Sequence, residues 1–189
     1  MQVRQLKKSL LVFAATAVFA SVAAAAPAPR AADQSEHDFV KEASGLLEEA
    51  KTTSTQLKRD AAELHALARS TSLTWQSHAG KLEAIKSHVN SAGHLVRRLN
   101  DIRHVTAPWQ QEAIDRVTPM LSQIASNTQW AIEHLNQNRN RLFTPEYKEY
   151  VATVSAMASE MAELVSEFVE YEQTKGKLEQ LETSLEVSS

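Results

Sequence analysis

The stretch SLTWQSHAGKLEAIKSHVNSAGHLVRRLNDIRH, residues 72–104, decides the fold. Read in steps of three and four, it sets Trp75, His78, Leu82, Ile85, Val89, Ala92, Val96 and Leu99 on one stripe. The stripe is apolar except at His78, and Lys81, Lys86, Arg97 and Arg98 lie off it. This is an amphipathic helix that must bury one side against other helices.

The same spacing recurs on both sides. Before it, Val40, Ala43, Leu47, Ala50, Ser54, Leu57, Ala61, Leu64 and Ala68 form the seam of a helix over about 36–69. That seam is rich in Ala and Ser, so a neighbour can approach closely, although Thr52-Thr53-Ser54-Thr55 is a weak helical patch. After it, Ile114, Val117, Leu121, Ile124, Thr128, Ala131 and Leu135 mark a helix over about 107–142. The last helix, about 145–187, carries Tyr147, Tyr150, Val151, Val154, Met157, Ala158, Met161, Leu164, Val165, Phe168 and Tyr171 on a wide apolar face. Leu178, Leu181 and Leu185 then continue an apolar stripe in a different phase.

Local signals set the expected boundaries. Ser35 followed by Glu36, His37 and Asp38 has the form of a helix cap with acids in the first turn. Ser70-Thr71-Ser72 reads as a turn that separates helices 36–69 and 73–103. The seam runs through it without a break of phase, so one helix over 36–104, close to 100 Å at about 1.5 Å per residue, is the alternative. Thr106 is the expected cap of the third helix, with Pro108 in its first turn. Pro119 predicts a kink, or a separate short helix over 107–117. Thr144-Pro145-Glu146 is the clearest start signal, and Gly176 is expected to weaken or break the last helix. Short turns force neighbouring helices to alternate in direction. The expected fold is therefore all-α, an antiparallel up-down-up-down four-helix bundle over 35–187 with long coiled-coil-like helices.

Composition agrees. The chain of 189 residues has 4 Gly, 5 Pro and no Cys. The lack of Cys excludes disulfides, covalently attached haem, thiolate metal sites and a lipoprotein anchor. The formal charge of -3 points to no nucleic-acid partner. Residues 1–25 read as a secretory signal peptide, with Arg4, Lys7 and Lys8 ahead of the apolar run SLLVFAATAVFA and small residues at the cleavage point. Residues 26–34 (APAPRAADQ) read as a disordered linker. The expected location is periplasmic or secreted, with no membrane association after cleavage of the signal peptide.

No catalytic set is evident. Glu-x-x-His, His-Glu-x-x-His, a Gly-rich phosphate loop and a nucleophile elbow are all missing, so the chain is expected not to be an enzyme. The seven His are the unusual inventory. Folding helices back on one another at turns near 71 and 105 brings His65, His78 and His134 to one layer. Three imidazoles there would suit zinc or copper, with Met157 as a fourth, soft ligand, or could ligate a non-covalent b-type haem. Arg97, Arg98 and Arg103 near the end of the second helix form a candidate anion patch or simply match the helix dipole. Glu160, Glu163, Glu167, Glu170, Glu172, Glu179, Glu182 and Glu186 make the last helix acidic. Together these features predict an exported, non-enzymatic bundle that binds a protein partner or assembles as a homo-oligomer. A metal- or haem-binding bundle is the alternative.

Overall fold

A computed structural model describes residues 29–69, 74–139, 141 and 144–187. The expected signal peptide, the start of the linker, the Ser70-Thr71-Ser72 turn and Leu142 lie outside the described residues. Four helices carry the fold: α1 (Pro29–Leu67), α2 (Trp75–Ile102), α3 (Pro108–Gln137) and α4 (Pro145–Val187), with a 3-10 turn over Arg103–Val105. Among the described residues there is no strand.

Residues in contact run in opposite order along neighbouring helices. Glu42 meets Arg98, while Asp60 meets Lys81 and His88, across α1 and α2. Ser44 meets Glu172 and Lys58 meets Glu163 across α1 and α4. Trp109 meets Tyr171 and Trp130 meets Tyr150 across α3 and α4. The arrangement is the expected four-helix bundle, in which each helix packs on its two neighbours.

The seams are the core. Every seam residue of α1 from Ala43 to Ala68 is buried, as are Leu82, Ile85, Ala92, Val96 and Leu99 of α2 and the whole of the α3 seam. Tyr147, Val151, Val154, Ala158, Met161, Leu164, Val165 and Val169 close it from α4. Each fully buried Leu, Ile or Val contributes about 1.5–3 kcal/mol before chain entropy is subtracted, so the seams alone can hold the bundle.

Several boundaries differ from the sequence reading. α1 is described from Pro29, so the chain is already helical over 29–34, and Ser35 lies inside the helix rather than capping it. Ala-rich segments join a helix readily once nucleated. α1 ends at Leu67 and α2 starts at Trp75, which rules out one helix over 36–104. Thr106 does not cap α3. Its hydroxyl donates back to the Arg103 carbonyl, 2.8 Å away, and Gln110 Oε1 instead accepts from the Ala107 N–H at 3.0 Å. α3 runs unbroken through Pro119, where the Thr118 hydroxyl bonds to the Ile114 carbonyl at 2.7 Å. α4 passes through Gly176 and is described to Val187. The Thr144 start signal holds, with its hydroxyl 3.3 Å from the Tyr147 N–H.

The helices are unequal. α2 and α3 have 28 and 30 residues, whereas α1 has 39 and α4 has 43. The junction of α2 and α3 lies level with Val40 and Tyr171, as the Gln110–Val40 bond of 2.9 Å and the Trp109–Tyr171 ring contact show. α4 continues past that level for roughly four turns, on the order of 24 Å. Among the described residues no helix is long and apolar enough to cross a membrane.

Candidate functional site

Two clusters built on buried ionisable side chains stand out among the described residues, and a third region is apolar and exposed. The first cluster grows from His78, the one polar residue in the α2 stripe. Its ring is completely buried, and so is Tyr147 one turn into α4. His78 Nδ1 and Tyr147 Oη lie 2.9 Å apart, so one donates and the other accepts. The Tyr147 ring also packs against His134, with centroids 5.6 Å apart, and His134 Nε2 lies 3.2 Å from the Thr144 hydroxyl. The Thr-Pro start of α4 therefore positions both members of the contact: it fixes the helix entry and aims Tyr147 inward. Burial disfavours both charged forms. It pushes the His78 imidazole below its ordinary value and the Tyr147 phenol above its own.

This layer is only partly the one expected. His78 and His134 do flank a common point, but Tyr147 fills it. His65 and Met157 are half-buried. Among the described residues no three His, Asp or Glu side chains come close enough to hold a metal ion. His65, His78 and His134 are therefore not assembled as a zinc or copper site. The physical reason is one of filling: the helix registers place the imidazoles at similar heights, but a large side chain from α4 takes the space between two of them.

The second cluster lies between α1 and α2. The Asp60 carboxylate is buried and accepts from Lys81 Nζ at 3.2 Å, and it lies 3.1 Å from His88 Nε2. Lys81 also pairs with Glu63. Burial alone would raise the Asp60 carboxyl, but hydrogen bonds and charges from Lys81 and His88 outweigh it and hold the group below its usual value. The Lys81 ammonium is shifted up, first by Glu63 and then by Asp60. Buried ion pairs give little net stability, but loss of one partner is costly. Sequence reasoning missed this cluster, although a signal for it exists. Asp60 sits one residue before seam position Ala61, and the fold-back rule that aligns the histidines pairs it with the region of Lys81.

The candidate anion patch is mostly neutralised. Arg98 bonds to Glu42 at 2.9 Å and Arg103 to Asp115 at 2.7 Å. Arg97 Nη2 lies 2.8 Å from His94 Nδ1, beside a cleft of about 340 Å³ between α2 and α3. The acidic helix is partly engaged too, through Glu163 with Lys58 and Glu172 with Ser44.

The third region is the far end of α4. Leu178, Leu181 and Leu185 are 56%, 61% and 67% exposed. Nine residues, two and a half turns, separate the fully buried Val169 from Leu178, so the leucines point away from the direction in which α4 faces its own core. Positions in phase with Val169 become Gly176, Gln180 and Thr183, which cannot extend an apolar core.

Fold and clusters together define a helical bundle with internal polar clasps and an outward-facing apolar helix end. Comparison with known proteins adds no relative: no family model, no curated protein and no solved structure matches this chain.

Proposed function

We propose that this chain is an exported, non-enzymatic bundle that works by binding protein through the C-terminal part of α4, either another chain or its own kind. The observation that carries the reading is the Leu178, Leu181 and Leu185 stripe, exposed on the side of α4 that faces away from its own core. Helix recognition by a partner uses anchors at this three-and-four spacing. Glu179, Glu182 and Glu186 beside the stripe keep the free form soluble. Export is supported by the charged and apolar run at residues 1–25. The buried clusters support a structural role: each brings its polar atoms to one another rather than to a cleft where a substrate could reach them.

The test is site-specific photocrosslinking in cells. A photoreactive residue at position 178 or 181 should give an adduct of discrete mass with a protein, while one at the exposed Glu83 on α2 should not. Equal, diffuse labelling from all three positions would refute the proposal.

A further inference from the structure

We infer that the partner of the α4 end is a second copy of this chain, joined as a parallel, in-register two-stranded coiled coil over residues 171–187. This rests on the proposed protein-binding role of that segment and names its occupant. The projecting part of α4 reads as a heptad, with Tyr171, Leu178 and Leu185 at a positions and Thr174 and Leu181 at d positions. Tyr171 is 52% exposed although its ring also packs on Trp109 of α3, so the seam begins at the edge of the bundle. The leucines lie on the side of α4 opposite Val169, so the bundle's own helices cannot take them up, whereas a second helix laid along the outside can.

Charge chooses the occupant and the direction. In this register Lys177 is a g position and Glu182 the e position five residues on. A parallel pair brings g of one strand against e of the next heptad on the other, so Lys177 faces Glu182 of the other copy twice, once on each side of the seam. The same alignment stacks Leu178, Leu181 and Leu185 each on its own counterpart, with Thr174 on Thr174. An antiparallel pair centred on the same leucines would instead set Leu185 against Thr174, leaving a leucine on a hydroxyl in two layers. The parallel form keeps like with like. A C2 pair also needs no second gene product and closes on itself, which prevents open polymerisation through the patch.

The seam is short. Coiled coils of about two heptads are marginal, so association is expected at protein concentrations on the order of 100 µM rather than at nanomolar levels.

The decisive experiment is mass measurement by light scattering over a concentration series, on the exported chain and three variants. The native chain should pass from one chain mass to two as concentration rises. Glu182→Lys sets Lys against Lys177 and should weaken dimerisation at least tenfold. The double variant Lys177→Glu, Glu182→Lys should restore it, because the swapped charges still meet across the parallel seam. In an antiparallel pair Glu182 faces Lys175 instead, and the double swap would not restore it. The chain has no Cys, so Leu185→Cys supplies a single thiol. Oxidation should give a disulfide-linked dimer in near-complete yield, which requires the two copies of position 185 to be adjacent. All these residues are exposed, and helical content should be unchanged in every variant. A native chain that stays monomeric throughout would overturn the inference while leaving a different protein partner to be found by the crosslinking above. A dimer unaffected by Glu182→Lys, or one in which Leu185→Cys does not link, would overturn the parallel α4 pairing.

Discussion

The contact between His78 and Tyr147 makes a quantitative claim about how this bundle is held. Both side chains are fully buried, and the bond between them spans 2.9 Å. Tyr147→Phe keeps the ring and deletes the hydroxyl. His78 then loses a partner that water cannot replace, at a cost of about 1–3 kcal/mol. His78→Leu deletes the other side of the bond and leaves the Tyr147 hydroxyl desolvated, for a similar cost. Combining the two should not add the costs, because the second change removes the group that the first had stranded. A coupling of about 1–2 kcal/mol is expected in the double-mutant cycle. Acid adds an independent signature. Above the ordinary imidazole value of 6.5, His78 is neutral in both the folded and unfolded chain. Below it the unfolded chain takes up a proton that the buried ring refuses. Stability should therefore fall as pH drops from that value toward the lower folded value, by at most about 1.4 kcal/mol per pH unit. His78→Leu should flatten this slope. Urea unfolding followed by circular dichroism, at several pH values from neutral to mildly acidic, measures both effects. Strictly additive costs, or an acid slope that survives His78→Leu unchanged, would refute the account of the clasp.

Other residues give sharp expectations. Asp60→Asn should destabilise by about 1–3 kcal/mol in thermal or urea unfolding, because Lys81 and His88 lose the buried charge that binds them. The native Asp60 contribution is full above the ordinary carboxyl value of 3.8 and lost as pH falls through its lower folded value, so the variant should lack that loss. Gln110→Ala should cost about 1–3 kcal/mol, since that buried amide joins the Ala107 N–H to the Val40 carbonyl and the Ser44 hydroxyl. Gly45→Ala and Gly80→Ala should each raise stability by about 0.5–1 kcal/mol: both lie inside helices, and an added Cβ meets nothing within 4 Å. Pro119→Ala should raise the melting temperature, with a gain of about 1–3 kcal/mol, because it returns a backbone donor to an exposed position inside α3. A loss of stability on that last change would mean that the bundle is shaped around the proline.

The stripe from Trp75 to Leu99 is sufficient to determine a buried helix, and its repetition determines which sides meet, whereas the unbroken phase leaves the division between α1 and α2 to the structure. This follows because hydrophobic burial depends on position along the helix, and that period is written in the chain. Spacing alone likewise puts Leu178, Leu181 and Leu185 out of phase with the core. Their exposure, and the length by which α4 outruns α2 and α3, are properties of the packed bundle. The cluster of His65, His78 and His134 marks the boundary between the two. Residue spacing fixes heights along the helices to about a turn, which brings His78 and His134 near each other. It does not say that Tyr147 enters between them from α4, because which side chain fills a space is decided by contacts among helices distant in sequence. Start signals obey the same division. Thr144-Pro145 acts through bonds within a few residues and is readable. Whether α3 survives Pro119 depends on the tertiary packing that outweighs a local cost of about 1–3 kcal/mol.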